Sequence, residues 1–176
     1  RPMLFNFIEY PNGISLKAFA HEFIMGRHLG TCVHSIAVAQ LAVLILKHLL
    51  KSSPEALLGI RGMLSASEIT ENEEALISYI YDCGMLHDIG KLFFLQLFSL
   101  PNRQWLSFEI EMCEAHALQG YRLLKNAPST EEFAPVAFGH HRYYNEAGGY
   151  PKEFSRAECA DPIAVDLIAV AVFIAY

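Results

Sequence analysis

Apolar residues along this chain fall in clusters separated by short polar or Gly/Pro breaks, and within the clusters they recur at helical rather than strand spacing. From Thr31 to Leu50 the apolar positions Val33, Ile36, Ala37, Leu41, Val43, Leu44 and Leu49 are too dense for one stripe, which predicts a helix buried on most sides. Ser52, Ser53 and Pro54 end it and begin the next turn, with Pro in the first-turn position where a missing N–H costs least. A further helix is predicted from about Asn72 to Leu86, then a Gly-containing stretch around Gly90 and an aromatic segment ending at Pro101 and Asn102. Another starts after Ser107, carries an acidic face from Glu109 to Glu114 and continues to about Lys125. Ser129 and Thr130 before Glu131 and Glu132 supply an N-cap and a negatively charged first turn for a helix reaching about Gly139. Asn145 to Pro151, with Gly148 and Gly149, reads as loop. The last segment, Pro162 to Tyr176, reads as a buried helix, although its β-branched content would also permit a strand. No clean period-2 alternation occurs elsewhere, so the predicted class is all-α, a single compact domain of about six to eight helices.

Composition narrows the function classes. At 176 residues the chain is one domain's worth, and with 53% apolar and 18% charged residues it can bury a core without staples and is not a disordered chain. Thirteen Lys plus Arg against nineteen Asp plus Glu give a net charge of −6, which lacks the basic footprint of a DNA or RNA binder. Cys32, Cys83, Cys113 and Cys159 stand singly beside apolar segments without CxxC spacing, as reduced cysteines of an intracellular, cytoplasmic protein do. No signal peptide follows Arg1, and the run Ile36 to Leu46, interrupted by Gln40, is too short to span a bilayer, so no membrane span is expected. A start at Arg1 and an end inside the apolar run Leu167 to Tyr176 suggest a piece of a longer chain, truncated at its C-terminus and once joined to regulatory domains.

The chemistry sits in the histidines. His87 and Asp88 are adjacent at the end of a predicted helix, in Met85-Leu86-His87-Asp88-Ile89-Gly90-Lys91. Neighbouring side chains on a helix diverge by about 100°, so both can reach one ion only at a helix end or kink, which Gly90 permits. Imidazole plus carboxylate suits Fe, Mn, Zn or Ni, and a carboxylate can bridge two ions as imidazole cannot. His140 and His141 form a second pair, His116 lies on another predicted helix, and His34 lies on the first one, with Val38 one turn on and Leu41 two turns on. A lone His on an apolar face is usually a hydrogen-bonded core residue. Five of them with one Asp, spread over four elements, favour convergence on a single cavity. His21, His28 and His48 are assigned to the surface or to support of the site.

In order, His34-Ser35, His87-Asp88-Ile89-Gly90-Lys91, His116 with Gly120 four residues on, His140-His141 and Gly149-Tyr150-Pro151 resemble the signature series of the HD-GYP domain, a branch of the HD metal-dependent phosphohydrolases. The resemblance covers residues 31–176 and leaves 1–30 as lead-in helices or a linker. It implies an all-helical, cytoplasmic, bacterial signalling domain that hydrolyses the cyclic dinucleotide cyclic di-GMP at a site of two or three metal ions, often iron or manganese; for this chain, short of acid, one or two divalent ions are expected, with zinc or nickel also compatible. A homodimer is allowed for. By the same resemblance His34, His87, Asp88, His116, His140 and His141 match metal ligands, with Asp88 as the bridge. Lys91 matches a residue that contacts substrate phosphate, so Asp88 and Lys91 carry the catalytic role, and Gly149, Tyr150 and Pro151 belong to the substrate side. Two cations can activate water, neutralise a phosphodiester and stabilise its leaving oxygen.

Two departures remove acid. The family places an Asp ligand on its last helix where this chain has Val172, and three-metal members carry an acid one turn before the first His, where this chain has Gly30. Asp166, about 240° around the helix from Val172, is a poor substitute. Arg142 stands where Glu is usual and Asn145 where Asp is usual. The resemblance thus implies a weakened phosphodiesterase, or a degenerate domain that keeps the fold as a non-catalytic nucleotide-binding or signalling module. A purely structural domain with core histidines is the bland reading. If the metal reading holds, His116, His140, His141 and Asp88 form one half-site, while His34 and His87 share the half-site that faces Val172 and lacks its acid.

Overall fold

His28 opens the first long helix, its Nδ1 accepting the Thr31 amide at 3.0 Å in place of a Ser or Asp cap. The computed structural model describes Glu22 and residues 28–98, 103–126 and 128–175; the lead-in over 1–27, His21 and the Pro101–Asn102 boundary otherwise lie outside the described residues. Its helices are α1 (Leu29–Ser52), α2 (Ala66–Glu71), α3 (Glu73–Leu86), α4 (Leu95–Phe98), α5 (Ser107–Glu114), α6 (His116–Lys125), α7 (Ala134–Gly139) and α8 (Pro162–Ala175). Short 3-10 turns link them, and among the described residues no strand forms, only an isolated bridge between Arg142 and Gly149. The all-α class is therefore observed, and the Pro162 segment is helix rather than strand.

Thr31, Ser35, Val38, Ala42, Leu46 and Leu50, spaced by three or four residues, form the buried face of α1 and pack against α3 and α8. Val33 and Leu44, expected inside, are exposed, because two flanking helices cover only part of the circumference of α1. By length and composition α1 could cross a membrane, but its buried face is part of the core with Leu76, Ile80 and Cys83 of α3 and Ala164, Ile168 and Ala171 of α8. Full burial of residues such as Leu46, Leu76 and Ile80 stabilises the fold by about 1.5–3 kcal/mol each.

Two close approaches set up the site. A Cβ on Gly84 would lie 2.4 Å from the Ala39 Cα, so α1 and α3 nearly touch there, which draws His87, just past the end of α3, toward His34 on α1. Past His87 the chain tightens into a 3-10 turn, Ile89–Phe93, headed by Asp88. A Cβ on Gly90 would lie 1.9 Å from the carbonyl oxygen of His116, so only glycine lets this turn seat on the start of α6.

Two sequence expectations are corrected. The helix expected from Ser107 to Lys125 is divided at Ala115, where the His116 ring donates a hydrogen bond to the Cys113 carbonyl and competes with the helix for that acceptor. Thr130 does not cap the following turn with its side chain; its hydroxyl donates to the Leu124 carbonyl, and Glu131–Phe133 forms a 3-10 turn before α7. No disulfide joins the four cysteines, of which Cys32 and Cys83 are buried and Cys113 and Cys159 half-buried.

Candidate metal centre

Three of the imidazoles are held by the same device. His87 Nδ1 lies 2.6 Å from the Gly84 carbonyl, His116 Nδ1 2.5 Å from the Cys113 carbonyl, and His140 Nδ1 3.1 Å from the Ala137 carbonyl, each acceptor three residues back at a helix end or turn. A carbonyl can only accept, so each Nδ1 carries a proton and each Nε2 is turned inward as a potential metal ligand. All three Nε2 atoms face Asp88, which is 1% exposed. His116 Nε2 and His140 Nε2 lie 3.2 Å apart, against a limit of roughly 10 Å beyond which shared or neighbouring ions would fail.

The six residues form two donor groups that share Asp88. One comprises Asp88, His116, His140 and His141; the other comprises His34, His87 and Asp88. Asp88 Oδ1 is 3.2 Å from His116 Nε2 and 3.7 Å from His140 Nε2. Asp88 Oδ2 is 3.3 Å from His87 Nε2 and 3.8 Å from His34 Nε2, and accepts a hydrogen bond from Lys91 Nζ. Ring contacts tie the groups together, with centroids 4.9 Å apart for His87 and His140 and 4.2 Å for His140 and His141.

Burial pushes His140 down to about 3 and His34 to about 4, and pushes His141 further down, so these rings are neutral and available as ligands. Burial opposes charge on His116 as well, yet hydrogen bonds to Asp88 and the Cys113 carbonyl outweigh it and hold His116 at about 9. Burial would raise Asp88, but neighbouring His87, the Lys91 ammonium and the hydrogen bond of His116 keep its carboxyl well below the usual range. His87 Nε2 is buried with no hydrogen-bond partner. The inward Nε2 atoms of His87 and His140 bring lone pairs to the same buried carboxylate, a nitrogen and oxygen donor set that fits a divalent cation.

The Gly-Tyr-Pro segment closes one side. Gly149, at φ 75°, pairs with Arg142 across the bridge; the Tyr150 amide donates to the His141 carbonyl at 3.2 Å, and the Tyr150 ring stacks on His141 with centroids 4.5 Å apart. Arg142, noted in the sequence as a departure, fastens this loop by donating to the carbonyls of Glu146 and Gly148. Tyr150, Gly149, Pro151 and His141 line a cavity of about 780 Å³ that Lys152 also borders. Val172 is buried and lines a second cavity with His140 and His141. The sequence placed it opposite His34 and His87; the structure sets it beside the His140 and His141 side. Asp166 is paired with Arg156, Gly30 is exposed and His48 is exposed. Lys91, expected at substrate phosphate, is only 8% exposed and points at Asp88.

Sequence reasoning missed Asp161. Its carboxylate is buried, caps α8 through the Ala164 amide at 3.0 Å, and also accepts from the Arg61 amide and the Tyr79 hydroxyl. The signal was Asp161-Pro162, an N-cap followed by Pro at the first helical position. Asp161 borders a cavity of about 600 Å³ with Arg61, Tyr79 and Phe138 that contains none of the candidate metal ligands.

A sequence model of the HD domain matches residues 31–172. No curated protein and no solved structure gives a significant match to the chain.

Proposed function

The chain belongs to the HD domain family, in general metal-dependent hydrolases, and from that premise we propose that it is a phosphodiesterase of the HD-GYP type acting on cyclic di-GMP, with weakened activity. The observation that supports a metal-dependent phosphohydrolase above all others is the set of Nδ1-anchored imidazoles turned toward the single buried carboxylate of Asp88. His116, His140, His141 and Asp88 would hold the ion, and His34 and His87 complete the centre. A divalent cation held there lowers the pKa of water and withdraws charge from a phosphate ester. The chain itself supplies the rest. Asp88 contributes the anionic charge, the backbone carbonyls fix the ring orientations, and burial excludes bulk water. Tyr150 and Tyr143 border the cavity next to His141, where a nucleobase can stack, and Lys152 offers a cation for its phosphate.

A second reading, a non-catalytic nucleotide-binding or signalling module, is favoured by Val172 where an acid ligand is usual and by Lys91 spent on Asp88. Incubation with cyclic di-GMP, other cyclic dinucleotides and simple phosphate mono- and diesters, with Mn²⁺ or anaerobic Fe²⁺, separates the two. The enzyme reading expects slow, metal-dependent production of linear dinucleotide that His87→Ala abolishes. Binding of cyclic di-GMP with no turnover in any metal assigns the module.

A further inference from the structure

We propose that the Lys91 ammonium takes the place of a second cation, so that the centre holds one divalent ion, on the Asp88–His116–His140–His141 side, and keeps a latent second site closed. The inference rests on the metal-dependent reading above. In a 3-10 turn residues i and i+3 eclipse, and the turn Ile89–Phe93 headed by Asp88 lays the Lys91 side chain over the Asp88 carboxylate. The two carboxylate oxygens then serve different neighbours. Oδ1 faces His116 and His140 and meets no ammonium, whereas Oδ2 accepts from Lys91 Nζ.

An ion entering between His34, His87 and Oδ2 must first displace that ammonium from a buried contact. It gains two imidazoles and a carboxylate oxygen for doing so, while the opposite group offers three imidazoles and an oxygen that no ammonium occupies. Charge points the same way. Asp88 is the one carboxylate in either group, and two divalent ions beside an ammonium would face a single buried negative charge. The orphaned Nε2 of His87, 3.3 Å from Oδ2, shows that the closed site still has competent donors. The block is the ammonium, not the absence of ligands.

Metal content of the full chain, equilibrated with Mn²⁺ or anaerobic Fe²⁺ and measured by elemental analysis, tests this directly. The parent should carry one ion per chain, Lys91→Arg should carry one, and Lys91→Met should carry two, its second-site affinity rising at least about tenfold over the parent's. His34→Ala in the parent background should still carry one ion, which keeps the inference testable should Lys91→Met fail to fold. Two ions in the parent, one in Lys91→Met, or none in His34→Ala overturns the inference and leaves the metal-dependent reading standing. No ion in the parent overturns that reading and the inference with it.

Discussion

On one side of Asp88, Oδ1 meets His116 and His140 in a pocket sealed by α6, α7 and the Tyr150 loop; on the other, Oδ2 meets His87, a half-buried His34 and the Lys91 ammonium. The residue types are nearly the same on both sides, yet the first group lacks a positive charge of its own apart from the proton that His116 holds, and the second contains one permanently. The difference teaches that a set of candidate ligands is defined by what neutralises their charge as much as by their spacing. The largest test removes the atom pair that both sides share. Asp88→Asn should lose all bound metal. In the metal-free protein it should also cost about 3–5 kcal/mol, since the Lys91 ammonium is left buried without its anion. Denaturant unfolding and elemental analysis of the same samples check both parts. Retention of metal in Asp88→Asn would break the comparison at its centre.

A smaller effect separates the sides. His140→Ala deletes a ring anchored to the Ala137 carbonyl and facing Oδ1, whereas His34→Ala deletes the most exposed ring of the weaker group. Chelator titration should show a metal affinity loss of about 10–100-fold in His140→Ala and little change in His34→Ala. Equal losses in the two variants would contradict the asymmetry.

The all-α class and most helix bounds were legible because apolar spacing and Gly/Pro breaks are local signals. The start of α3 after Asn72 and of the turn at Pro54 agree with the sequence reading to within a residue. The six His and Asp residues could be selected in advance as residue types, and the structure brings them together. Three things were not legible. The division at Ala115 depends on a ring reaching the Cys113 carbonyl, a contact that no periodicity reports. Lys91 falling on Asp88 rather than on an open surface depends on the 3-10 geometry of one turn. Val172 beside His140 and His141 depends on how α8 rotates against α7, which is set by long-range packing.

The proton on His116 gives the third test. In the metal-free protein its folded value of about 9 lies above the ordinary 6.5, so the stability it contributes is present in full below 6.5 and is lost as pH rises through about 9. Metal must displace this proton, whereas neutral His140 and His34 have none to give up on Nε2. Affinity should therefore rise about tenfold per pH unit between roughly pH 7 and 9, with one proton released per ion. Calorimetry in two buffers of different ionisation enthalpy measures that proton. A pH-independent affinity over this range would mean that His116 is not a ligand.

Val172 provides the finest distinction. The variant Val172→Asp puts a carboxylate into the cavity wall shared with His140 and His141, next to the side that binds more strongly. Without metal the new acid has no cation beside it and is 4% exposed in the parent side chain's position, so unfolding free energy should fall by about 1–3 kcal/mol. With metal the added negative charge recovers about 1 kcal/mol of that loss, which reads as a roughly fivefold gain in metal affinity. Under the proposed phosphodiesterase reading, turnover of cyclic di-GMP should rise with it, since a second acid balances the cation against substrate phosphate. Comparing metal-free and metal-loaded stability of parent and variant decides the point. A variant destabilised equally in both states would place Val172 out of reach of the ion, and the missing acid there would then lend no support to the proposed weakening of activity.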